Sequence, residues 1–276
     1  MMFDAINEIE NGGILSAHWL RQAALDNIIY SDIYKIQEQN YQPASLDLSL
    51  GETAYSLQCS FLPYAGSVES QLQRLQIGDI DIRDGAVLEK NRPYLIPLLE
   101  ELRLPNGIRA RTNPKSSTGR LDIFTRVITD ENDRFDDIPD GYHGRMFLEV
   151  FSRSFAIKVQ TRLSLNQLRL FRGDSGCQLG ELKRVHETNP IVFEKEGQLG
   201  NLTRPNNDNT LGLSIDLTGT NRGIGYRAKK NSALLDLSRT DHYDAGNYWE
   251  PVFADEDRPL ILEPEEFYLL SSAEKV

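Results

Sequence analysis

Hydrophobic residues recur at helical spacing in one early segment and at short, alternating intervals through most of the remaining chain. Between residues 14 and 29, apolar positions lie three and four residues apart, and Ser16 is a residue type that caps helix N-termini. This spacing predicts a helix over 14–29. Residues 45–50 then alternate between polar and apolar side chains and are followed by Gly51, which predicts a strand that ends in a turn.

Short apolar runs separated by turn residues continue beyond this first strand and predict a mainly β fold. The runs lie near residues 57–62, 78–82, 94–99, 108–111 and 121–129, and the longest apolar strands are expected within 145–170. Many short strands with few helices are typical of a β-barrel or a β-sandwich.

The end of the chain resembles its beginning. Residues 214–217 (Ser-Ile-Asp-Leu) match 45–48 (Ser-Leu-Asp-Leu) at an offset of 169 residues. Leu-Glu and Tyr-Leu pairs within 262–269 match those within 88–95 at an offset of 174 residues. Two matches in the same order and at nearly the same offset predict an internal duplication.

The stretch 173–212 is rich in Gly, Asn, Asp and Glu and predicts a domain boundary near 180–205. We expect a complete first domain at 1–180 and a partial second copy at 205–276. The aligned second copy ends before the counterparts of the later strands, so it would keep open edge strands, which proteins avoid. The alignment therefore predicts either that a C-terminal part of the protein is missing from this sequence or that a partial second unit is supported by the first.

Composition excludes several classes of protein. The 276 residues are 39% hydrophobic and 26% charged, as in soluble globular proteins, and no apolar run approaches the length of a membrane span. The N-terminus lacks the features of a signal peptide, which predicts a cytoplasmic location. A net charge of −11 argues against nucleic acid or an anionic membrane as a partner. Two cysteines and four scattered histidines predict neither a disulfide scaffold nor a zinc site.

One segment concentrates positive charge within this acidic chain. Residues 109–120 together with Arg126 hold five basic residues, and Ser116 and Ser117 directly follow Lys115. Guanidinium groups, hydroxyls and backbone N–H groups around a tight turn suit phosphate oxygens. The segment predicts a phosphate or nucleotide site, and a solvated basic strand edge is the alternative.

Two acidic features are also candidates for chemistry. Glu149 lies inside the apolar run 144–151, where a carboxylate is unfavourable unless it is paired, hydrogen-bonded or protonated. Such a carboxylate can act as a general acid or base, although strand alternation could instead direct it to solvent or to an arginine. The acidic stretch 129–142 is typical of a solvated loop, and its carboxylates could also approach a Mg²⁺ bound to a triphosphate.

Taken in order, these segments resemble the deoxycytidine triphosphate deaminase branch of the trimeric dUTPase-like superfamily over most of residues 12–172. The opening helix and first strand resemble those of that family. Residues 115–121 are similar to its Ser-Ser-x-x-Arg-Leu phosphate motif, and 141–149 to its Gly-aromatic-x-Gly…Leu-Glu motif. Residues 165–168 resemble a late strand carrying Gln-Leu. The duplication resembles a long bacterial form of the family whose members extend beyond 276 residues.

The resemblance implies a dUTPase-like β-barrel or β-clip with an N-terminal helix, and hydrolysis of dCTP to dUTP and ammonia without zinc. Glu149 would act as the general base on a water that attacks C4 of cytosine, and Ser116 and Arg120 would orient the water and the base. The implied substrate-binding residues are Lys115, Ser117, Tyr142, Asp140, Arg111 and Gln167. No intrinsic cofactor is implied, since Mg²⁺ arrives with the triphosphate, and a homotrimer is expected. The product dUTP would supply dTTP synthesis.

Departures from the family pattern leave alternatives open. The aspartate that contacts the sugar in that family is replaced by Pro139, with Asp140 beside it. A dUTP or dCTP pyrophosphatase of the same fold is one alternative, although it leaves Glu149 without a role. A non-catalytic nucleotide-binding protein and an all-β interaction domain without a ligand are the others.

Overall fold

The computed structural model describes residues 12–194, 197–200, 202, 212–218, 223–253 and 260–276. The chain divides into two compact units. The first unit comprises residues 1–175 together with 232–243, and the second comprises 176–231 together with 244–276.

Strands dominate the described residues, which confirms the predicted mainly β fold. The strands of the first unit are β1 Gly13–Ile14, β2 Ile29–Tyr30, β3 Tyr41–Gln42, β4 Ser45–Leu48, β5 Thr53–Leu57, β6 Gln76–Asp81, β7 Ala86–Leu88, β8 Pro93–Arg103, β9 Ile108–Pro114, β10 Ile123–Ile128, β11 Asp137–Ile138, β12 His143–Ser152, β13 Ile157–Val159, β14 Asn166–Arg172 and β16 Leu235–Asp236. Those of the second unit are β15 Gly225–Ala228, β17 Trp249–Val252 and β18 Tyr268–Leu270. The α-helices are α1 Ala17–Leu25, α2 Val68–Leu75, α3 Ser116–Gly119 and α4 Leu179–Thr188.

The predicted helix over 14–29 is too long, because residues at both ends of this range form strands that pair with other strands. The helix proper covers Ala17–Leu25, with Ser16 at the N-cap position but without a side-chain cap bond. Before it, β1 pairs with β14, and after it, β2 pairs with β8. Leu20 and Ala23 are its buried residues.

Besides a three-stranded sheet of order β16-β13-β7, the first unit contains two six-stranded antiparallel sheets. One has the order β11-β9-β14-β4-β3, with β1 beside β14, and the other has the order β10-β12-β8-β5-β6, with β2 beside β8. All four residues of β4 are buried, so the alternation in 45–50 does not mark an exposed face. Asp47, an acidic residue of β4, can be buried because its carboxylate pairs with Lys115.

Most of the predicted strands are present, with two corrections. The run 57–62 is not a strand beyond Leu57, where β5 ends. The longest strand is β8, with 11 residues, rather than a strand within 145–170. It is long because β12, β5 and β2 all pair with it. These pairings involve residues that are distant in the chain, so no local pattern predicts its length.

A buried carboxyl group links β8 to the residues that follow β4. Glu100 is fully buried and accepts hydrogen bonds from the Ser49 backbone N–H at 2.8 Å and from the Tyr34 hydroxyl. Burial raises the pKa of Glu100 despite these bonds, and burial beside Glu100 raises the pKa of Tyr34. The carboxyl group therefore joins β8 to the residues that follow β4 through a fully buried acceptor.

Hydrogen bonds of the first unit recur in the second. Glu274 accepts from the Ser214 N–H at 2.7 Å, as Glu100 accepts from the Ser49 N–H. The Ala273 N–H donates to the Ser214 carbonyl, as the Leu99 N–H donates to the Ser49 carbonyl. The strand order β17-β15-β18 likewise repeats the order β6-β5-β8.

This recurrence supports the duplication but corrects one of the two sequence matches. Ser214 occupies the place of Ser49, 165 residues earlier, so the match of 214–217 to 45–48 is wrong by four positions. The second match is consistent with the structure: the Glu263 N–H donates to the Tyr268 hydroxyl at 3.2 Å, as the Glu89 N–H donates to that of Tyr94. A Ser-x-Asp-Leu pattern is too short to fix the alignment of the two copies, whereas the hydrogen bonds that they share do fix it.

Candidate functional site

The centre of the candidate site is an ion pair across two neighbouring strands. Arg126 on β10 lies directly opposite Glu149 on β12. The Arg126 Nε and Nη2 atoms donate to Glu149 Oε1 at 3.0 and 2.5 Å. Glu149 is 2% exposed, and its other oxygen, Oε2, is buried without a hydrogen-bond partner in the described structure. One oxygen is thus held by a cation, while the second has an unsatisfied capacity to accept a hydrogen bond.

Apolar side chains surround this pair. Leu95 on β8 lies opposite Glu149 on its other side and belongs to a buried cluster. The other buried members are Leu57, Val68, Leu72, Ile128 and Phe147, with Tyr55, Phe61 and Phe135 packed against them. The Arg126 guanidinium lies 4.1 Å from the centre of the Phe135 ring and donates to Ser60 Oγ at 3.1 Å. Apolar surroundings strengthen electrostatic interactions and hold the Arg126 side chain in place.

A second carboxyl group lies beside the pair, and sequence reasoning missed it. Asp136 Oδ1 accepts from the Thr112 hydroxyl at 2.6 Å and from the Val127 N–H at 2.8 Å. Burial raises the pKa of Asp136, while Arg126 lowers it and Glu149 raises it. The expectation of a solvated acidic loop is therefore wrong for this residue. Nothing in the local sequence distinguishes Asp136 from its acidic neighbours, because its partners come from β9 and β10.

Removing the cation should destabilise the first unit. We expect Arg126→Met to lower the free energy of unfolding by about 2 kcal/mol, because Glu149 would remain buried without a partner. The full penalty for breaking a buried pair is reduced here because the Arg126 side chain is 40% exposed. Urea unfolding followed by circular dichroism measures the change.

Arg145→Met is the matched control. Arg145 pairs with Glu69 at 2.7 Å and lies over the Phe147 ring, but both charged side chains are exposed. An exposed pair contributes about 0.5 kcal/mol, so this variant should unfold close to wild type. Equal losses in the two variants would contradict a special role for the buried Glu149.

The basic segment builds a second part of the candidate site at the end of β9. Lys115 Nζ bonds to Asp47, whose side chain is 7% exposed and whose Oδ1 is buried without a hydrogen-bond partner in the described structure. Gln167 on β14 lies opposite Asp47 and accepts from the Ser45 hydroxyl at 2.8 Å. Lys115 and Ser117 line a cavity of about 470 Å³. Two of the predicted phosphate-binding residues therefore share one cavity.

Other predicted residues lie apart from Glu149 or have structural partners. Ser116 and Arg120 are exposed, and within the described ranges no hydrogen bond or ion pair joins either to Glu149. Asp140 Oδ1 accepts from the Gly107 N–H at 2.9 Å, and the Tyr142 hydroxyl donates to the Arg145 carbonyl at 2.7 Å. Burial raises the pKa of Tyr142.

Arg111 is likewise occupied by a partner from a neighbouring strand. It lies on β9 opposite Asp137 of β11, and its Nε atom is 3.6 Å from the Asp137 carboxylate. Both side chains are at least partly exposed, so the contribution of this ion pair to stability is small. The guanidinium therefore keeps donors that could reach a ligand.

In the part of the chain that the structure describes, no group of three or more His, Cys, Asp or Glu side chains is arranged to hold a metal ion. No described helix has the length and apolar character needed to cross a bilayer.

Comparison with known proteins identifies the family of this chain. A family model described as "2'-deoxycytidine 5'-triphosphate deaminase (DCD) N-terminal domain" matches residues 11–174, and the corresponding C-terminal domain model matches 179–276. A search of the curated proteins found no match. The chain is similar to the crystal structure of 2'-deoxycytidine 5'-triphosphate deaminase from Agrobacterium tumefaciens, with 40% identity and a TM-score of 0.86 over 95% of this chain and 77% of that one. This chain therefore belongs to the 2'-deoxycytidine 5'-triphosphate deaminase family.

Proposed function

We propose that the chain hydrolyses dCTP to dUTP and ammonia, with Glu149 as the general base. The observation that carries this proposal is the state of the Glu149 carboxylate: buried, fixed through Oε1 by Arg126, and unpartnered at Oε2. A positioned carboxylate in an apolar setting is suited to take a proton from water. Membership of the deaminase family supplies the substrate.

The reaction balances with this single base. Glu149 Oε2 takes a proton from water as the oxygen attacks C4 of cytosine and passes it to N3 of the ring, which gives a tetrahedral intermediate with a hydroxyl and an amino group on C4. The same carboxylate then takes the hydroxyl proton and gives it to the amino nitrogen, so the C4–N bond breaks, ammonia leaves and the C4 carbonyl forms. Arg126 keeps Oε1 in place throughout, so that Oε2 faces the reacting water.

Residues from a neighbouring subunit would complete the site. Ser116 and Arg120 are exposed and make no hydrogen bond or ion pair with Glu149 within the described chain, so we infer that they orient the water from a second copy. This supports a homotrimer in which each site lies between subunits. Lys115 and Ser117 would bind the phosphates, with Gln167 and Arg111 beside them. Mg²⁺ would come with the nucleotide.

The remaining parts of the proposal concern the sugar and the cellular role. Asp140 and Tyr142 would contact the deoxyribose through the atoms that their turn contacts leave free. We place the enzyme in the cytoplasm, where its product dUTP would supply dTTP synthesis.

Incubation of the purified chain with dCTP and Mg²⁺ tests the activity. We expect dUTP and ammonia in equal amounts, detected by chromatography and by an ammonia-coupled assay. Release of pyrophosphate with dCMP or dUMP would bring in the pyrophosphatase alternative, because that reaction cleaves at phosphorus. Binding of dCTP without a product would indicate the non-catalytic alternative.

Arg120→Ala should lower kcat by about 100-fold, the size of effect seen when one transition-state contact is lost. Its stability should match wild type because the side chain is exposed. Arg92→Ala is the control, since the Arg92 side chain is 40% exposed and pairs with Glu89 at 3.3 Å. Unchanged steady-state kinetics in Arg120→Ala would remove Arg120 from the site.

A further inference from the structure

A short segment from the second half of the chain is part of the first unit. Residues 232–243, which we call the strap, contain β16, and β16 pairs in parallel with β13. The Leu235 N–H donates to the Ala156 carbonyl and the Leu237 N–H to the Lys158 carbonyl, both at 3.0 Å. Backbone hydrogen bonds therefore fix the position of the strap on the first unit.

Side chains hold the strap as well. Leu235 is buried, and Lys158 Nζ lies 3.8 Å from the Asp236 carboxylate. The Asp236 N–H donates to the Tyr243 hydroxyl at 2.8 Å. Hydrogen bonds from Ser238 lower the pKa of Asp236, so this carboxylate is charged at neutral pH. The strap is thus anchored at both its backbone and its side chains.

The duplication explains where the strap comes from. In the first unit the connection between β5 and β6 is closed by a bond from the Gln58 N–H to the Leu75 carbonyl, and it contains α2. The connection between β15 and β17 is closed in the same way, from the Lys229 N–H to the Tyr248 carbonyl, and it contains the strap. The equivalent loop therefore covers an apolar cluster in one copy and supplies the strap in the other.

The strap forms one wall of the cavity that holds Lys115 and Ser117. The strap residues that line it are Leu235, Asp236, Leu237, Arg239 and Thr240. Among the described lining residues, the cations Lys115, Arg162 and Arg239 outnumber the carboxylates of Asp47 and Asp236. A locally positive cavity in a chain of net charge −11 favours an anionic ligand.

Arg239 has the geometry of a phosphate-binding residue. Its Nε atom lies 3.6 Å from the Asp236 carboxylate, and its Nη1 atom is 3.2 Å from His242 Nε2. These neighbours orient the guanidinium, while the side chain is 58% exposed and keeps donors for a ligand. A planar guanidinium can bind two phosphate oxygens at once.

We infer that the strap completes the polyphosphate end of the nucleotide site, with Arg239 as a phosphate-binding residue beside Lys115 and Ser117. The second copy thereby contributes to substrate binding in the first unit. This inference rests on the proposed function for the identity of the nucleotide, but the phosphate contact itself can be measured separately.

The test compares Arg239→Gln with Arg227→Gln in the full chain. Arg227 is also an arginine of the second half that pairs with a carboxylate, Glu250, but it lies on β15 away from the strap. Calorimetry with inorganic tripolyphosphate should show about tenfold weaker binding for Arg239→Gln and wild-type binding for Arg227→Gln, as expected for one charge-assisted hydrogen bond. The KM of Arg239→Gln for dCTP should rise by a similar factor, and Arg239→Lys should recover part of the loss. The inhibition constant of deoxycytidine, which has no phosphates, should be the same for Arg239→Gln as for wild type.

Three outcomes overturn the inference: no binding of tripolyphosphate by wild type, equal binding by wild type and Arg239→Gln, or an equal loss in the Arg227→Gln control. The proposed function can fail independently. If tripolyphosphate binding depends on Arg239 but dCTP is not deaminated, the phosphate site stands and the deaminase proposal falls. If dCTP is deaminated with an unchanged KM in Arg239→Gln, the deaminase proposal stands and the role of Arg239 is lost.

Discussion

Glu149→Gln is expected to slow ammonia release from dCTP by about 10³-fold, because an amide cannot accept the proton that general base catalysis requires. The change keeps the shape of the side chain and an oxygen that can accept from Arg126. The dissociation constant for dCTP should therefore remain within about threefold of wild type. Single-turnover assays and calorimetry measure the two quantities.

Glu69→Gln is the control for this substitution. Glu69 is an exposed glutamate that also pairs with an arginine, Arg145. Its replacement should leave both turnover and binding unchanged. Turnover of Glu149→Gln within tenfold of wild type would exclude Glu149 as the general base.

Mixing two inactive variants tests whether the site is shared between subunits. If Glu149 and Arg120 act from different subunits, Glu149→Gln and Arg120→Ala should complement each other after unfolding and reassembly together. Random assembly should restore roughly a quarter of wild-type activity, because roughly one site in four receives both intact residues. Activity no higher than that of the separate variants would place both residues in one subunit or exclude one of them.

Glu100→Ala should lower the free energy of unfolding by about 3 kcal/mol. Its removal leaves the Ser49 N–H and the Tyr34 hydroxyl without the carboxyl group that accepts from both. Because Glu100 is fully buried, water does not replace it without penetrating the core. Urea unfolding monitored by tryptophan fluorescence measures the loss.

Glu101→Ala is the matched control, since the adjacent Glu101 also accepts from a tyrosine hydroxyl, that of Tyr30 at 2.8 Å, but is only partly buried. We expect a loss of about 1 kcal/mol or less. A Glu100→Ala variant as stable as Glu101→Ala would contradict the structural role of the buried group.

The same group should make stability depend on pH in a definite direction. Burial raises the pKa of Glu100 above its ordinary value of 4.5, so the folded state binds this proton more tightly than the unfolded state. Protonation of Glu100 therefore stabilises the folded state. This stabilisation is fully present below the pKa that Glu100 has in the unfolded chain, and it is lost as pH rises through the pKa of Glu100 in the folded chain. Glu100→Gln should remove this dependence. If the free energy of unfolding changed identically with pH above 4.5 in wild type and in Glu100→Gln, this prediction would be contradicted.

Local patterns were informative where the structure depends on neighbouring residues. Turn residues between short apolar runs predicted a mainly β fold, because each strand must end where the chain turns. The helix was found but its ends were not, since the residues flanking Ala17–Leu25 pair with β14 and β8. Similarly, the match of 214–217 to 45–48 failed because side-chain alternation is compatible with more than one register.

The sequence by itself determined which chemical groups this protein can use: the basic and hydroxyl side chains of residues 115–120 and the glutamate at position 149 within an apolar strand. The order of these motifs along the chain also indicated the family. Only the tertiary structure decided how that chemistry is arranged. The register of β10 against β12 gives Glu149 its partner Arg126, hydrogen bonds from Thr112 and Val127 distinguish Asp136 from its acidic neighbours, and a parallel pairing brings the strap to the cavity of Lys115. These contacts join residues that are distant in the chain, so their energies depend on packing and register, which no local pattern of residues records.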